Sequence, residues 1–86
     1  MTANQFTQLL SEPWRYEDRE MTFYSLNLYT GKLNKKKGTF KGFNPVIFPD
    51  GSIRVERILI ANHGISSIHY SDVVLPKLTS SLYLGK

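Results

Sequence analysis

Residues 39–60 read TFKGFNPVIFPDGSIRVERILI and decide the fold, because two apolar runs flank a strong turn signal. In the segment Pro49-Asp50-Gly51-Ser52, proline presets φ and glycine accepts the left-handed region of backbone space. The runs on either side, Val46–Phe48 and Ile53–Ile60, are rich in β-branched residues. They are therefore predicted to form a β-hairpin.

The chain on both sides of this hairpin is predicted to add further strands. Downstream, Asn62-His63-Gly64 is a second turn signal, and residues 65–75 favour a strand that continues until Pro76. Upstream, Thr39–Phe43 is predicted to be a short strand separate from the one that begins at Pro45. Its glycines suggest the bends by which a narrow sheet curls towards a barrel.

The N-terminal segment predicts one short helix and then a first strand. Thr2 and Asn4 are both acceptable helix caps, and Pro13 discourages continuation. Between them, apolar residues recur at helical spacing at Phe6, Leu9 and Leu10. Residues 21–30 then alternate with the period of a strand, and this alternation predicts that Leu26 and Leu28 face the core.

Several short strands behind one helix predict a mainly β fold. We expect a short N-terminal helix followed by a small curled antiparallel sheet of the SH3-like or OB-like kind, with a two-layer α+β fold as the alternative. The 86 residues leave room for one domain and one core. Within it we expect a helix and linker at 1–20, a β core at 21–75 and an apolar C-terminal tail at 76–86.

The composition excludes several classes of protein. The chain has no cysteine, so neither disulfides nor thiolate metal sites stabilise this small fold. No apolar run approaches the roughly 20 residues of a membrane span, and the N-terminus lacks the pattern of a signal peptide. We therefore expect a cytoplasmic protein that does not enter a membrane.

The main functional signal is a lysine-rich stretch, which its glycines predict to be a loop. Residues 30–44 read TGKLNKKKGTFKGFN, contain no acid, and hold five of the eleven basic residues of a chain whose formal net charge is +4. Such a surface suits a polyanion, and nucleic acid fits best. The alternative is a solvated hairpin tip that protects a sheet edge. The residues predicted to contact phosphates are Lys32, Lys35, Lys36, Lys37 and Lys41.

Four further residues are predicted to contact bases. Phe43 offers a ring on which an unpaired base can stack, although a phenylalanine is more often part of the core. His63, at a turn beside Gly64, can hydrogen-bond a ligand or serve only the turn. Asn44 and Asn62 complete the predicted set.

Catalysis, metal binding and a cofactor are not expected. His63 and His69 with nearby serines suggest a nucleophile and a base, with Asp72 or Asp50 as the third group. No nucleophile elbow or comparable motif accompanies them, and an activated nucleophile needs such an arrangement. His69 and Asp72 are also too few to define a metal site.

Two segments resemble the signatures of a known family. The first is Leu26-x-Leu28-x-x-Gly31-x-Leu33 with Gly38-x-Phe40-x-x-Phe43-Asn44, and the second is the stretch from Val55 to Ile68. Together they resemble the Sm-like family and its bacterial RNA-chaperone branch, Hfq. The resemblance implies a small β-barrel, a homo-oligomer and single-stranded RNA as ligand. The sequence departs from the family pattern in four places: residues 34–37 are an insertion, Asn44 replaces an aspartate, Ala61-Asn62-His63 replaces Tyr-Lys-His, and residues 71–86 extend past the point where the family's core ends.

Two functions of different classes follow. The first is a non-enzymatic nucleic-acid-binding protein, with RNA favoured over DNA through the resemblance. The second is a protein–protein interaction module, such as a phage or mobile-element accessory protein that binds a host or virion component. The predicted interface, either between subunits or with such a partner, is the apolar tail, through Leu78, Leu82, Tyr83 and Leu84.

Overall fold

The computed structural model describes residues 1–77, which form a short helix and a five-stranded antiparallel sheet. Two 3-10 turns lie in the connections: Pro13–Arg15 between the helix and the first strand, and Tyr70–Asp72 between the fourth and fifth strands. The strand order is β4-β3-β2-β1-β5, and among the described residues the two edge strands do not pair with each other, so the sheet is not closed. The predicted mainly β fold is confirmed. In chain order the elements are α1 (Ala3–Ser11), β1 (Glu20–Leu26), β2 (Leu33–Ile47), β3 (Ile53–Ala61), β4 (Ile65–His69) and β5 (Val73–Val74).

The N-terminal helix begins and ends where its sequence predicts. Thr2 caps it by accepting a hydrogen bond from the backbone N–H of Gln5, and the Gln5 side chain accepts one from the backbone N–H of Thr2. This reciprocal capping box satisfies two donors that the first turn otherwise leaves free. Phe6 and Leu9 are buried against the sheet, and the helix ends shortly before Pro13.

The prediction that Leu26 and Leu28 face the core is wrong. Met21 and Phe23 are the buried residues of β1, whereas Leu26 is exposed and Leu28, 86% exposed, lies in the turn beyond the strand. Successive side chains of a strand point to opposite faces, so an error of one residue in phase reverses every assignment. The buried face is the one that joins Phe6 and Leu9 of α1 in the core, and β5 pairs with β1 at Thr22 and Phe23, short of the leucines.

The two short strands predicted at Thr39–Phe43 and from Pro45 are one continuous strand. β2 runs for 15 residues, and its register with β3 shifts between Phe40 and Gly42 and again between Asn44 and Pro45. Each shift is a bulge, which bends the strand and increases its twist. At the first bulge Gly42 has a φ of 134°, a conformation that favours glycine. The predicted bends exist, but they occur inside a strand.

The central hairpin is confirmed. β2 and β3 pair with Ile47 opposite Ile53, and the turn closes with the backbone N–H of Phe48 donating to the carbonyl of Ser52 at 2.8 Å. Within the turn, the Asp50 carboxylate accepts hydrogen bonds from the backbone N–H and the hydroxyl of Ser52. These bonds hold the pKa of Asp50 below its usual value.

The second turn is confirmed, but the single strand predicted at 65–75 is not. β4 ends at His69, the 3-10 turn Tyr70–Asp72 redirects the chain, and β5 pairs with β1 at the opposite edge of the sheet. His69 caps that turn by accepting the backbone N–H of Ser71. The short return strand places Val73 in the core.

The core lies between α1 and the curled sheet. The Phe6 ring stacks on Tyr70 at 4.6 Å and meets the edge of Phe43 at 5.9 Å. The chain start also joins this layer, because the α-ammonium of Met1 donates to the carbonyls of Tyr70 and Val73. Partial burial lowers the pKa of that ammonium, and the charge of Asp72 opposes the effect. The buried residues of the core are Phe6, Leu9, Tyr16, Met21, Phe23, Phe40, Ile58, Ile60 and Val73.

Candidate nucleic-acid interface

Most of the lysine-rich stretch lies in a strand rather than in the predicted loop. Lys35, Lys36 and Lys37 belong to β2 and pair with Tyr24, Phe23 and Thr22 of β1. The connection between the two strands lies earlier in the chain, at residues 27–32. We call residues 24–38 the lysine arm.

The tip of the lysine arm is built by asparagine and glycine. The side-chain carbonyl oxygen of Asn27 accepts hydrogen bonds from the backbone N–H groups of Tyr29 and Thr30, as in an Asx turn. Gly31 has a φ of 70°, and its N–H donates to the backbone carbonyl of Asn27 at 2.8 Å. This hydrogen bonding lets the chain reverse tightly, so that Leu33 pairs with Leu26.

The outer part of the lysine arm is a two-stranded ribbon that extends beyond the rest of the sheet. β5 pairs with β1 only at Thr22 and Phe23, which lie opposite Lys37 and Lys36, and β3 pairs with β2 only from Thr39 onwards. Among the described residues, therefore, no third strand flanks the arm from Tyr24 and Lys35 to the tip. At a rise of about 3.3 Å per residue, this two-stranded part of β2, from Leu33 to Lys35, is about 10 Å long.

The lysines of the arm occupy both faces of this ribbon. Residues directly opposite in an antiparallel pair share a face, so Lys35 and Lys37 lie on the face of Tyr24 and Thr22. Lys36 lies on the other face, opposite Phe23. All three are exposed, as is Lys32 at the tip.

The positive charge of the arm is little neutralised. Residues 24–38 contain four lysines and no acid. Within residues 1–77 no carboxylate lies within 4 Å of Lys32, Lys35 or Lys36, while Lys37 is 3.9 Å from the Glu20 carboxylate. Exposed pairs at such distances contribute little, so the arm remains a cationic surface.

Asn62 and His63 lie at the base of the arm. The Asn62 side-chain N–H donates to the backbone carbonyl of Lys37 at 2.9 Å, which ties the β3–β4 turn to the first half of β2. His63 is exposed in that turn with a φ of 55°. These two predicted site residues therefore adjoin the lysines, although one amide N–H of Asn62 is already used within the fold.

The remaining predicted residues lie away from the arm. Lys41 sits at the first bulge of β2, where its ammonium is 2.9 Å from the carboxylate of Asp18. Phe43 is half-buried, with its ring 5.5 Å from that of Phe40. The Asn44 amide donates to the hydroxyl of Ser67.

Asn44 belongs to a polar network that the sequence did not indicate. Arg57 stands opposite Asn44 on β3 and donates to both the hydroxyl and the carbonyl of Ser67, at 3.0 and 2.8 Å. Its guanidinium therefore braces β4 against β3. The sequence does indicate which face Arg57 occupies: it comes one residue before a buried isoleucine, so its side chain points to the opposite face of the strand.

The histidine and serine of the β4 end make local contacts. His69 Nδ1 lies 2.9 Å from the Ser71 hydroxyl and also accepts the Ser71 backbone N–H at 3.2 Å. The Glu56 carboxylate is 3.9 Å from His69 Nε2. Because His69 caps the 3-10 turn that contains Ser71, these contacts stabilise that turn. No cluster of three metal-ligating side chains occurs in residues 1–77.

Exposed apolar side chains also lie outside the arm. At the β2–β3 tip Ile47 and Ile53 pair in the open, beside an Arg54 guanidinium stacked 5.1 Å from the Phe48 ring. Near the helix exit, Trp14 is 67% exposed over a cleft of about 280 Å³ that Phe43 and Lys41 also line. The predicted tail interface, Leu78, Leu82, Tyr83 and Leu84, lies outside the described residues.

None of the helices in residues 1–77 combines the length and the apolar character needed to cross a membrane. Comparison of the chain with protein-family models, with curated proteins and with solved structures finds no match.

Proposed function

We propose that the protein binds nucleic acid through the lysine arm and has no enzymatic activity. The observation that carries this proposal is a projecting, acid-free ribbon with four exposed lysines, three of which lack a carboxylate within 4 Å in the described part of the chain. Each phosphate that a lysine neutralises releases condensed counterions, and this release supplies most of the affinity in non-specific binding. Binding is therefore expected to weaken steeply with added salt.

Further support comes from the composition of the whole chain. Four of the seven acids lie before β2, at Glu12, Glu17, Asp18 and Glu20, and two of them pair with Lys41 and Lys37. The excess positive charge is thus concentrated in the arm. A field of this kind attracts a polyanion and orients it towards one part of the surface.

The kind of nucleic acid is a separate question from the phosphate contacts, because lysine–phosphate contacts carry no sequence information. The resemblance to the Sm-like family favours RNA and a homo-oligomer, and the N-terminal helix and curled antiparallel sheet support that resemblance. A cytoplasmic location remains a prediction from the sequence.

Fluorescence anisotropy with labelled nucleic acids at low salt tests the proposal. Lys35→Ala, Lys36→Ala and Lys37→Ala together are expected to weaken binding about equally for every sequence. A matched control removes three positive charges outside the arm, with Arg19, Arg54 and Lys77 changed to Ala. Equal loss of affinity in both triple variants would contradict a role for the arm, and circular dichroism checks that both fold.

A protein-binding function is the second candidate, because apolar side chains are exposed at the β2–β3 tip. Ile47 and Ile53 form an exposed cross-strand pair there, and Val46 is also exposed. Large exposed apolar patches mark interaction sites more often than chance. If the wild-type protein binds no nucleic acid, exchanging Ile47 and Ile53 for Thr and measuring the mass of the protein in solution tests whether this tip joins two chains.

A further inference from the structure

An exposed tyrosine at the tip of the lysine arm adds a second kind of contact to that of the lysines. We propose that the Tyr29 ring stacks on an unpaired base of the bound nucleic acid; this inference rests on the proposed nucleic-acid binding and deepens it. Lysines contact the phosphates of any strand, whereas a ring that stacks on a base selects a ligand whose bases are free.

The Tyr29 ring takes no part in the packing of the fold. It is 99% exposed, so both of its faces are open to a flat ligand. By contrast Phe43, the residue predicted to stack on a base, is half-buried, and its ring contacts those of Phe6 and Phe40. Tyrosine rings left open in this way are common at binding surfaces, because they offer apolar area together with a hydroxyl.

The cations beside Tyr29 are available for phosphates. Lys32 follows the tyrosine by three residues, and within residues 1–77 no carboxylate lies within 4 Å of its ammonium. Trp14 is also largely exposed, but the lysine that lines its cleft, Lys41, is paired with Asp18. Stacking and phosphate contact can therefore reinforce each other at the tip of the arm.

The turn holds the ring in place before a ligand binds. The backbone N–H of Tyr29 donates to the side-chain oxygen of Asn27 at 2.9 Å. On the other side of the ring, the backbone carbonyl of Lys32 accepts the N–H of Asn27 at 2.8 Å. Since the backbone is fixed on both sides, binding has to order little more than the two side-chain torsions of the tyrosine, which keeps the entropic cost low.

Apolar side chains continue the surface behind the tip. Leu26 and Leu33 lie directly opposite each other, are 55% and 64% exposed, and share the face of Tyr24 and Lys35. A base next to the one on Tyr29 would meet this aliphatic pair, with Lys35 beside it for a phosphate. The arrangement suits a strand whose bases lie on the arm and whose backbone follows the lysines.

A duplex cannot use the ring in the same way. Its bases are paired and already stacked on both faces, so Tyr29 could reach one only if a base step were first unstacked. The contribution of Tyr29 is therefore expected for single strands alone. Every base has a π face, so the contribution is expected for single-stranded RNA and single-stranded DNA alike.

Fluorescence anisotropy of one variant with labelled single strands and with the duplex of the same sequence tests this inference. Tyr29→Ala is expected to bind single-stranded RNA about tenfold more weakly than the wild type, the contribution of one stacked base, and to bind duplex RNA as the wild type does. The substitution removes no charge, so the dependence of affinity on salt is expected to stay unchanged.

Two variants and one ligand serve as controls. Tyr29→Phe keeps the ring, and Trp14→Ala removes an exposed ring outside the arm, so both are expected to bind single strands as the wild type does. An abasic strand keeps the phosphates without the bases and is expected to bind equally to the wild type and to Tyr29→Ala. Circular dichroism checks that each variant folds.

The outcomes separate this inference from the function on which it rests. An unchanged affinity of Tyr29→Ala for single strands, or an equal loss for single strands and duplex, would overturn stacking on an unpaired base and leave binding through the lysines in place. Equal losses in Tyr29→Ala and Trp14→Ala would overturn it as well. No binding of the wild type to any of these ligands at low salt would overturn both this inference and the proposed function.

Discussion

Gly38 is the residue at which a single added methyl group would do most harm to the sheet. A Cβ built at this position lies 2.6 Å from the carbonyl oxygen of Ala61 and against Cγ2 of Ile60. Gly38 sits where β3 first approaches β2, at the boundary between the arm and the body, so backbone would have to move to make room.

Gly38→Ala is therefore expected to lower the free energy of unfolding by about 1–3 kcal/mol, the usual cost of overpacking. Urea unfolding followed by circular dichroism measures the change. Asn34→Ala, on the same face but in the unflanked part of the arm, is the matched control and is expected to change stability by less than about 0.5 kcal/mol. Equal effects of the two substitutions would mean that the strands do not approach as closely as described.

Asp50 gives a pH dependence at the scale of one side chain. Its pKa is lowered in the folded protein by the two hydrogen bonds from Ser52, so the unfolded chain binds the proton more tightly. The stabilisation is present above the ordinary value near 3.8 and is lost as the pH falls through the lower folded pKa.

Asp50→Ala is accordingly expected to lower the melting temperature at neutral pH by more than it does in acid. Asp50→Asn keeps an acceptor for the Ser52 N–H but cannot ionise, so its difference from the wild type is expected to disappear once Asp50 is protonated. A difference between the wild type and Asp50→Asn that does not change with pH would contradict this assignment.

At the scale of elements, the assignment of the buried face of β1 can be tested by comparing the stability of two variants. Phe23 lies in the core and Leu28 is exposed at the tip of the arm, opposite to what the apolar pattern suggests. Phe23→Ala is expected to lower the free energy of unfolding by about 3–5 kcal/mol, whereas Leu28→Ser is expected to change it by less than about 0.5 kcal/mol. Chemical denaturation of the two variants side by side checks this. A large loss of stability in the leucine variant would mean that Leu28, as the sequence pattern predicts, faces the core.

The elements that could be predicted from sequence are those fixed by local chemistry. Thr2 with Gln5 and the Pro49–Ser52 turn depend on side chains that bond the nearby backbone, and the Asn62–Gly64 turn depends on two residues with positive φ. The face of β1 depends instead on where distant parts of the chain pack. Leu26 and Leu28 are apolar enough for a core, but the buried cluster includes only Met21 and Phe23 of β1, and β5 pairs only with Thr22 and Phe23.

The candidate site was predictable in composition and only partly in geometry. Lysine is uncommon in strands, and the run Lys35–Lys37 with glycines nearby reads as a loop. The partner strand overrides this preference, since β1 pairs with each of the three lysines. Lys41 lies at the first bulge of β2 and Asn44 lies beyond it, so both are set apart from the arm by a bulge that no short-range pattern specifies.

At the scale of the whole molecule, the fold separates the two signs of charge. The acids at the N-terminal side pair with lysines near the base of β2, while the free half of the arm keeps its cations. The formal net charge of +4 therefore acts mostly at one end of the molecule. This arrangement is what links the fold to the proposed nucleic-acid binding, because an even distribution of the same charge would favour solubility without directing a ligand to one surface.

The dependence of affinity on salt tests that link most directly. For the wild-type protein, the logarithm of the association constant with a nucleic acid is expected to fall linearly with the logarithm of the salt concentration, by about one unit of slope for each phosphate contacted. Changing Lys35, Lys36 and Lys37 together to Ala is expected to make that slope shallower by about three. An unchanged slope and affinity in the triple variant would contradict binding through the lysine arm.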